Sequence, residues 1–164
     1  LDTLYHFLRQ LPRPSDYVVE VRDPELCYGT GLDEVNALLS EVQVERAWMD
    51  TRPLRAASMP LSDATQKAWE RKPNLPVYPI GLGPQPVIRY VAHPDVHANL
   101  MWLTQWAEVF ARWITEGRRP FFFAHYPGET LAPQIAALFH GQLRRELDLP
   151  ARPLWPSEAQ PSLF

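Results

Sequence analysis

The alternation of short apolar runs with helical patterns is the feature that most limits how this chain can fold. Four runs have the length of a buried strand, and they lie at residues 17–22, 44–50, 87–91 and 120–125. The runs are apolar on both faces, which is typical of parallel strands that other layers cover on both sides. The pattern therefore predicts an α/β fold on a parallel sheet, with the strands arranged in sequence order.

Amphipathic helices are predicted between and around these strands. Apolar side chains recur at helical spacing over residues 1–11, 32–41, 62–71, 96–116 and 132–147. A proline-rich stretch at residues 52–86 predicts a long irregular crossover that contains the third of these helices. A second proline-rich stretch follows Leu149, so we divide the chain into residues 1–149 and a tail at residues 150–164.

Chain length decides how much of a barrel this pattern can form. A complete TIM (β/α)8 barrel needs about 250 residues, or roughly 31 for each unit. The chain has 164 residues and therefore supplies about half of one. Leu1, Leu4, Leu8 and Leu11 resemble a helix entered partway along, so we expect that an N-terminal half of the barrel is missing from this sequence.

Charge and cysteine content exclude several classes of protein. The net charge is −3 without any run of basic residues, so no extended nucleic-acid surface is expected and any phosphate binding must be local. Cys27 is the single cysteine, which predicts a reducing compartment such as the cytoplasm. No apolar run approaches the roughly 20 residues of a membrane span, so no membrane association is predicted.

Charged side chains occupy the carboxyl ends of the predicted strands. They are Glu20 and Arg22 on the first strand, Asp50 on the second, Arg89 on the third and His125 on the fourth. Parallel barrels and open α/β sheets place their functional sites at that end of the strands. We therefore expect these five side chains to converge at one opening.

Two interpretations of this group remain open. As a functional site, Arg22 and Arg89 bind a small anionic or phosphate-bearing ligand, Glu20 or Asp50 transfers a proton with Glu20 preferred as the base, and His125 acts as an acid. As a structural feature, the same charges are ion pairs that seal the interior of a barrel. Charges on four separate strands at the same depth favour the functional interpretation.

Neither a metal nor another cofactor is predicted. His93 and His97 have the spacing of a helical ligand pair, but Pro94 intervenes and no glutamate completes a zinc motif. Cys27 has no histidine nearby, so an inert thiol is expected. The chain also contains no glycine-rich phosphate loop.

Several segments resemble the YecE-like family of bacterial TIM-barrel proteins, a family of unknown function. The segments are VEVRDP at 19–24, MDTRP at 49–53, ERKPNLP at 70–76, IRY at 88–90, FAH with a following proline at 123–127, and SLF at 162–164. Their order along the chain carries the resemblance, which runs from the first residue to the last. Members of the family are longer at the N-terminus, which implies that this chain supplies the C-terminal four β/α units.

The resemblance also bears on the candidate residues. The family pattern matches Glu20, Arg22, Asp50 and Arg89. Many members have Phe-Asn-Asn-Asp after the last strand, where this chain departs with His125 and its neighbours. The family has no established activity, so the resemblance implies a fold and leaves open whether the protein is an enzyme.

The C-terminal residues Gln160, Leu163 and Phe164 suggest a second function. The segment QPSLF resembles the pentapeptide with which bacterial polymerases and repair proteins dock on the DNA sliding clamp. In such a peptide one amide sets the register while two apolar side chains fill a pocket. The alternatives are therefore a non-catalytic replication or repair accessory protein, or a tail that covers the barrel's own surface.

Deleting Leu163 and Phe164 separates these two roles of the tail. If the pair docks on the clamp, the deletion abolishes clamp binding in a pull-down and leaves the melting temperature unchanged. If the pair packs on the protein itself, the deletion lowers the free energy of unfolding by roughly 1.5 to 3 kcal/mol for each side chain. Clamp binding that survives the deletion would identify the motif as a chance match.

Overall fold

A single parallel sheet organises the molecule. The computed structural model describes residues 1–58, 61–128 and 130–151. Its strands are β1 (Val18–Glu20), β2 (Glu45–Asp50), β3 (Val87–Val91) and β4 (Phe121–His125). All neighbouring strands run parallel, in the order β1-β2-β3-β4. The predicted α/β class, the four strands and their sequence order are confirmed.

The helices follow the predicted positions, with small differences. They are α1 (Asp2–Gln10), α2 (Gly29–Glu41), α3 (Arg52–Arg55), α4 (Asp63–Arg71), α5 (Leu100–Thr115) and α6 (Ala132–Glu146). The periodicity did not predict α3, because a single helical turn is too short to show a repeat. No helix of the described segments is long and apolar enough to cross a bilayer.

The start of α5 differs from the prediction for a local reason. The predicted helix began near residue 96, whereas the structure has a 3₁₀ turn at His97–Asn99 before α5. The buried amide of Asn99 donates to the carbonyls of His93, Asp95 and Val96, at 3.1, 2.8 and 3.1 Å. These bonds hold the chain in a tight turn, so the α-helix begins only at Leu100.

One face of the sheet packs against α5 and α6. Its side chains include Ile88, Tyr90 and Phe122, which contact an aromatic layer on the two helices. The ring of Phe122 stacks on Phe139 of α6, with centroids 3.8 Å apart and planes inclined by 11°. A second cluster joins α1 and α2 beside β1, where Leu39 and its neighbours are fully buried. Burial of these apolar surfaces is the main stabilising contribution to the fold.

The opposite face of the sheet is largely open. Val18, Phe121 and Phe123 are 44%, 44% and 55% exposed, so the expectation that both faces of the strands are buried is wrong for these residues. The physical reason is that α5 and α6 cover one face only. On the open face, the segment after β2 covers the carboxyl end, where Met49 and Val91 are buried.

The crossover between β2 and β3 is anchored near its start. The hydroxyl of Thr51 donates to the carbonyl of Pro73 at 2.9 Å, which ties the end of β2 to the chain that follows α4. The guanidinium of Arg55 lies over the ring of Trp69 at 4.2 Å and donates to the carbonyl of Lys72. These contacts fix α4 relative to α3.

The same crossover is anchored again before β3. The indole of Trp48 donates to the carbonyl of Ile80 at 2.7 Å. The carboxylate of Glu45 accepts the backbone N–H groups of Leu82 and Gly83 at 2.9 and 2.8 Å. The proline-rich segment is therefore held to β2 at both of its ends.

Two adjacent phenylalanines test this assignment of faces. Phe122→Ala removes a ring packed against Phe139, and we expect it to lower the free energy of unfolding by about 3 kcal/mol. Phe123→Ala removes a mostly exposed ring, and we expect a change of about 0.5 kcal/mol or less. Urea unfolding of the two variants measures both values. Equal losses would contradict the assignment.

Candidate functional site

A carboxylate shared by two guanidiniums lies at the carboxyl end of β1 on the open face. Glu20 Oε1 accepts from Arg22 Nε at 2.6 Å, and Glu20 Oε2 accepts from Arg89 Nη1 at 2.5 Å. The Glu20 side chain is 14% exposed, whereas those of Arg22 and Arg89 are 57% and 30% exposed. The group therefore carries one net positive charge and remains in contact with solvent.

The register of the sheet brings this group together. Glu20 is aligned with Ala47 of β2, and Arg89 of β3 is aligned with Met49. Aligned residues point to the same face, and Ala47 and Met49 are two positions apart, so Glu20 and Arg89 lie on the same face, on either side of β2. Because the side chain of Ala47 is a single methyl group, Arg89 reaches across β2 to Glu20.

His125 lies on the same face at the end of β4. It is aligned with Val91, and its carbonyl accepts the N–H of Ala92 at 2.8 Å. The imidazole lines an open cleft of about 730 Å³ together with Glu20 and Arg89. Apolar side chains, Phe123 among them, form much of the remaining lining. The structure thus brings four of the five predicted residues to one end of the open face.

A second pocket of about 450 Å³ adjoins this cleft and has a basic lining. Arg22 and His125 belong to it, together with three cations from α4 and the residue after it, namely Lys67, Arg71 and Lys72. Sequence reasoning missed these three residues. The signal that could have found them is the pair Lys67 and Arg71, four positions apart on one helix face.

Asp50 does not join the group, and that expectation is wrong. Its carboxylate is fully buried on the face covered by α5, where Oδ2 accepts from the indole of Trp106 at 2.7 Å. Arg52 donates to the same carboxylate at 2.9 Å from Nε and 2.7 Å from Nη2. The reason is register, since Asp50 shares its face with Arg46 and Trp48, whereas Ala47 and Met49 share the face of Glu20.

Comparison with known proteins identifies the family of the chain. The family model described as "Protein of unknown function DUF72" matches residues 1–160. The chain belongs to the DUF72 family. The UPF0759 protein YecE of Escherichia coli K12 is 34% identical to it over 167 residues, and YecE of E. coli O157:H7 is 33% identical. The resemblance to the YecE-like family is therefore confirmed.

Solved DUF72 structures share the fold. Two structures of a DUF72 family protein of Enterococcus faecalis V583 superpose with TM-scores of 0.56 and 0.53, at 13% and 14% identity. They match 94% and 91% of this chain, which covers 54% and 53% of theirs. The chain likewise spans 60% of the YecE sequences. It thus corresponds to little more than half of each DUF72 relative.

A buried arginine beneath the sheet has a structural role in this DUF72 chain. Arg46 donates to Asn36 Oδ1 at 2.9 Å and to the carbonyl of Leu26 at 3.1 Å, and its guanidinium lies 4.2 Å from the ring of Trp48. Burial lowers the pKa of Arg46 and raises the pKa of the neighbouring Cys27 thiol. A raised thiol pKa disfavours the reactive thiolate.

A second buried group is the phenol of Tyr90, which donates to Asn99 Oδ1 at 2.8 Å. Burial, and secondarily the charge of Asp50, raises the pKa of Tyr90 above its ordinary value. The phenol therefore stays protonated and acts as a hydrogen-bond donor inside the core. Like Asp50, it serves the packing of the covered face.

No metal centre is assembled by residues 1–58, 61–128 and 130–151, because no three His, Cys, Asp or Glu side chains converge there. His93 instead accepts the N–H of Asp95 at Nδ1, at 2.9 Å. The tail residues Gln160, Leu163 and Phe164 lie outside the described residues. Their docking role therefore stays a prediction from the sequence.

Substituting each carboxylate by its amide distinguishes the two faces. Asp50→Asn places an amide N–H₂ among donors, and we expect it to lower the free energy of unfolding by about 1 to 3 kcal/mol. Glu20→Gln weakens ion pairs that touch solvent, and we expect a loss of about 1 kcal/mol or less. Chemical denaturation at neutral pH measures both. A larger loss for Glu20→Gln would assign Glu20 a structural role.

Proposed function

We propose that the protein binds a small anionic ligand at the open end of the sheet and that Glu20 exchanges a proton with it. The observation that carries this proposal is the Glu20 carboxylate shared between Arg22 and Arg89 at the edge of an open cleft. Two cations for one carboxylate leave a positive charge for a ligand to neutralise. Carboxylates and phosphates are the groups that guanidiniums bind best.

Arg22 and Arg89 have the donors that this role needs. A guanidinium carries five N–H groups in a fixed fork, so one contact with Glu20 leaves donors for a second acceptor. The contacts to Glu20 use Nε of Arg22 and Nη1 of Arg89. A ligand carboxylate or phosphate that binds both arginines would weaken their hold on Glu20.

Proton transfer follows from this exchange of partners. Once the arginines bind a ligand anion, the Glu20 carboxylate lies beside the ligand and can accept a proton from it. His125 lines the same cleft and is the candidate acid that returns a proton. Asp50 has no part in this scheme, because its carboxylate is buried on the other face.

The sheet is proposed to be half of a TIM-like barrel. Sequential parallel strands with helices on one face are the arrangement of a (β/α)8 barrel, whose interior lies on the face away from the helices. The exposed apolar side chains of Val18, Phe121 and Phe123 support such an interior. Strands corresponding to the remainder of the longer relatives would close it, and the cleft would become the opening of the barrel.

Replacing the arginines tests the binding proposal. We expect Arg22→Ala and Arg89→Ala each to raise the Kd for benzoate by ten- to a hundredfold, the equivalent of about 1.5 to 3 kcal/mol for a charged hydrogen bond. NMR titration of the full chain gives the Kd. Arg112→Ala is the control, because Arg112 is exposed on α5 behind the covered face. Unchanged benzoate affinity in both variants would reduce the arginines to structural ion pairs.

A further inference from the structure

The basic pocket next to the cleft has the composition of a phosphate site. Its described lining includes the residues Arg22, Lys67, Arg71 and Lys72 and contains no aspartate or glutamate. Four basic residues, one shortly after β1 and three from the crossover, therefore line one volume of about 450 Å³. A phosphate dianion has three terminal oxygens and suits such a convergence better than a carboxylate does.

The charges of α4 are segregated around this pocket. Ala64, Lys67, Ala68 and Arg71 follow the spacing of one helix face, and all four line the pocket. The small side chains of Ala64 and Ala68 leave room beside the two cations. Glu70 lies on another face, where it accepts from Gln66 Nε2 at 2.6 Å.

The two cations of α4 are neighbours on the surface of the helix. Lys67 and Arg71 are four positions apart, and like charges at that spacing repel each other. A bound phosphate would convert this repulsion into two attractive contacts. The placement of both cations on one face of α4 therefore suits a shared anionic ligand.

A second wall of the pocket, beside α4, comes from the segment after β4. Tyr126 is fixed there by donating its hydroxyl to the carbonyl of Pro94 at 2.7 Å. Gly128 follows with a φ of +83°, which favours glycine, and a Cβ at this position would lie 3.8 Å from that of Ala64. The segment therefore lies against α4 and gives the pocket a defined wall.

Two residues connect the pocket with the cleft. His125 lines both cavities. Arg22 lines the pocket while its Nε is bonded to Glu20, which lines the cleft. One ligand can therefore extend from the basic pocket across His125 into the cleft, where Phe123 offers an apolar surface.

We propose that the ligand is a phosphomonoester whose phosphate binds Lys67, Arg71, Lys72 and Arg22, and whose organic part lies in the cleft beside Glu20 and Phe123. This inference rests on the proposed anion-binding function and narrows its ligand class. The proposal also gives the cations two different roles. Those of the crossover hold the phosphate, whereas Arg89 acts on the part of the ligand that reaches Glu20.

Titrations with three probes test the proposal on the full chain. The probes are phenyl phosphate, inorganic phosphate and benzoate. We expect phenyl phosphate to bind tighter than inorganic phosphate, because its ring occupies the cleft. The double variant Lys67→Ala/Arg71→Ala should weaken both phosphates at least tenfold and change benzoate less than twofold.

The matched control is Arg112→Ala/Arg119→Ala, which removes two exposed cations outside the pocket lining. It should leave all three affinities within twofold of the parent. We call the Lys67→Ala/Arg71→Ala protein the α4 variant. Alanine is the best helix former, so the α4 variant keeps its fold, and a melting curve verifies this. Equal phosphate losses in both double variants would overturn the proposal in favour of non-specific charge attraction.

The outcomes separate this inference from the proposed function. If Arg89→Ala weakens benzoate while the α4 variant binds phosphate normally, the phosphate pocket is wrong and the anion site stands. If the α4 variant loses phosphate while Arg89→Ala alters no probe, the proposed function is overturned, and with it the ligand that spans both cavities. Phenyl phosphate that binds no tighter than inorganic phosphate would also overturn the spanning ligand.

Discussion

The parallel register of β1, β2 and β3 is the constraint on which the candidate site depends. It aligns Glu20 with Ala47 and places Arg89 one step further along, on the same face. The carboxylate and the guanidinium meet because the residue between them is small. The ion pair between Glu20 and Arg89 therefore depends on the small side chain of Ala47 as well as on the two charges.

The two faces of the sheet separate the hydrophobic core from the proposed binding site. The covered face holds the stacked rings of Phe122 and Phe139 and the buried carboxylate of Asp50, whose contacts with Trp106 and Arg52 join β2 to α5 and α3. The open face holds the group around Glu20 and the basic pocket. Substitutions in the proposed site on the open face are therefore expected to have little effect on the core.

Hydrophobic periodicity was enough to predict the strands, the long helices and the class of the fold. It also placed Glu20, Arg22, Arg89 and His125 near the carboxyl ends of their strands, where the structure has them. The error at Asp50 arose because alternation within one strand says which residues share a face but not which face that is. The answer depends on register between strands, where a shift of one residue moves every side chain to the other side.

The cations of the pocket were missed for a different reason. Lys67 and Arg71 belong to a helix inside a proline-rich crossover, and its position over the sheet follows from long-range contacts such as Thr51 with Pro73. Local patterns carry no information about such contacts. The charge pair alone is also the ordinary surface of a solvated helix.

The anchoring of the crossover bears on how tightly a ligand can be held. Fixing the backbone of one free residue costs about 1 to 2 kcal/mol, so a mobile segment that ordered only on binding would lose much of its interaction energy to entropy. Here Arg55 on Trp69 and Glu45 on the N–H groups of Leu82 and Gly83 hold the segment in place beforehand. The backbone entropy of the crossover is therefore lost during folding and not on binding. The cations of α4 form a preorganised surface.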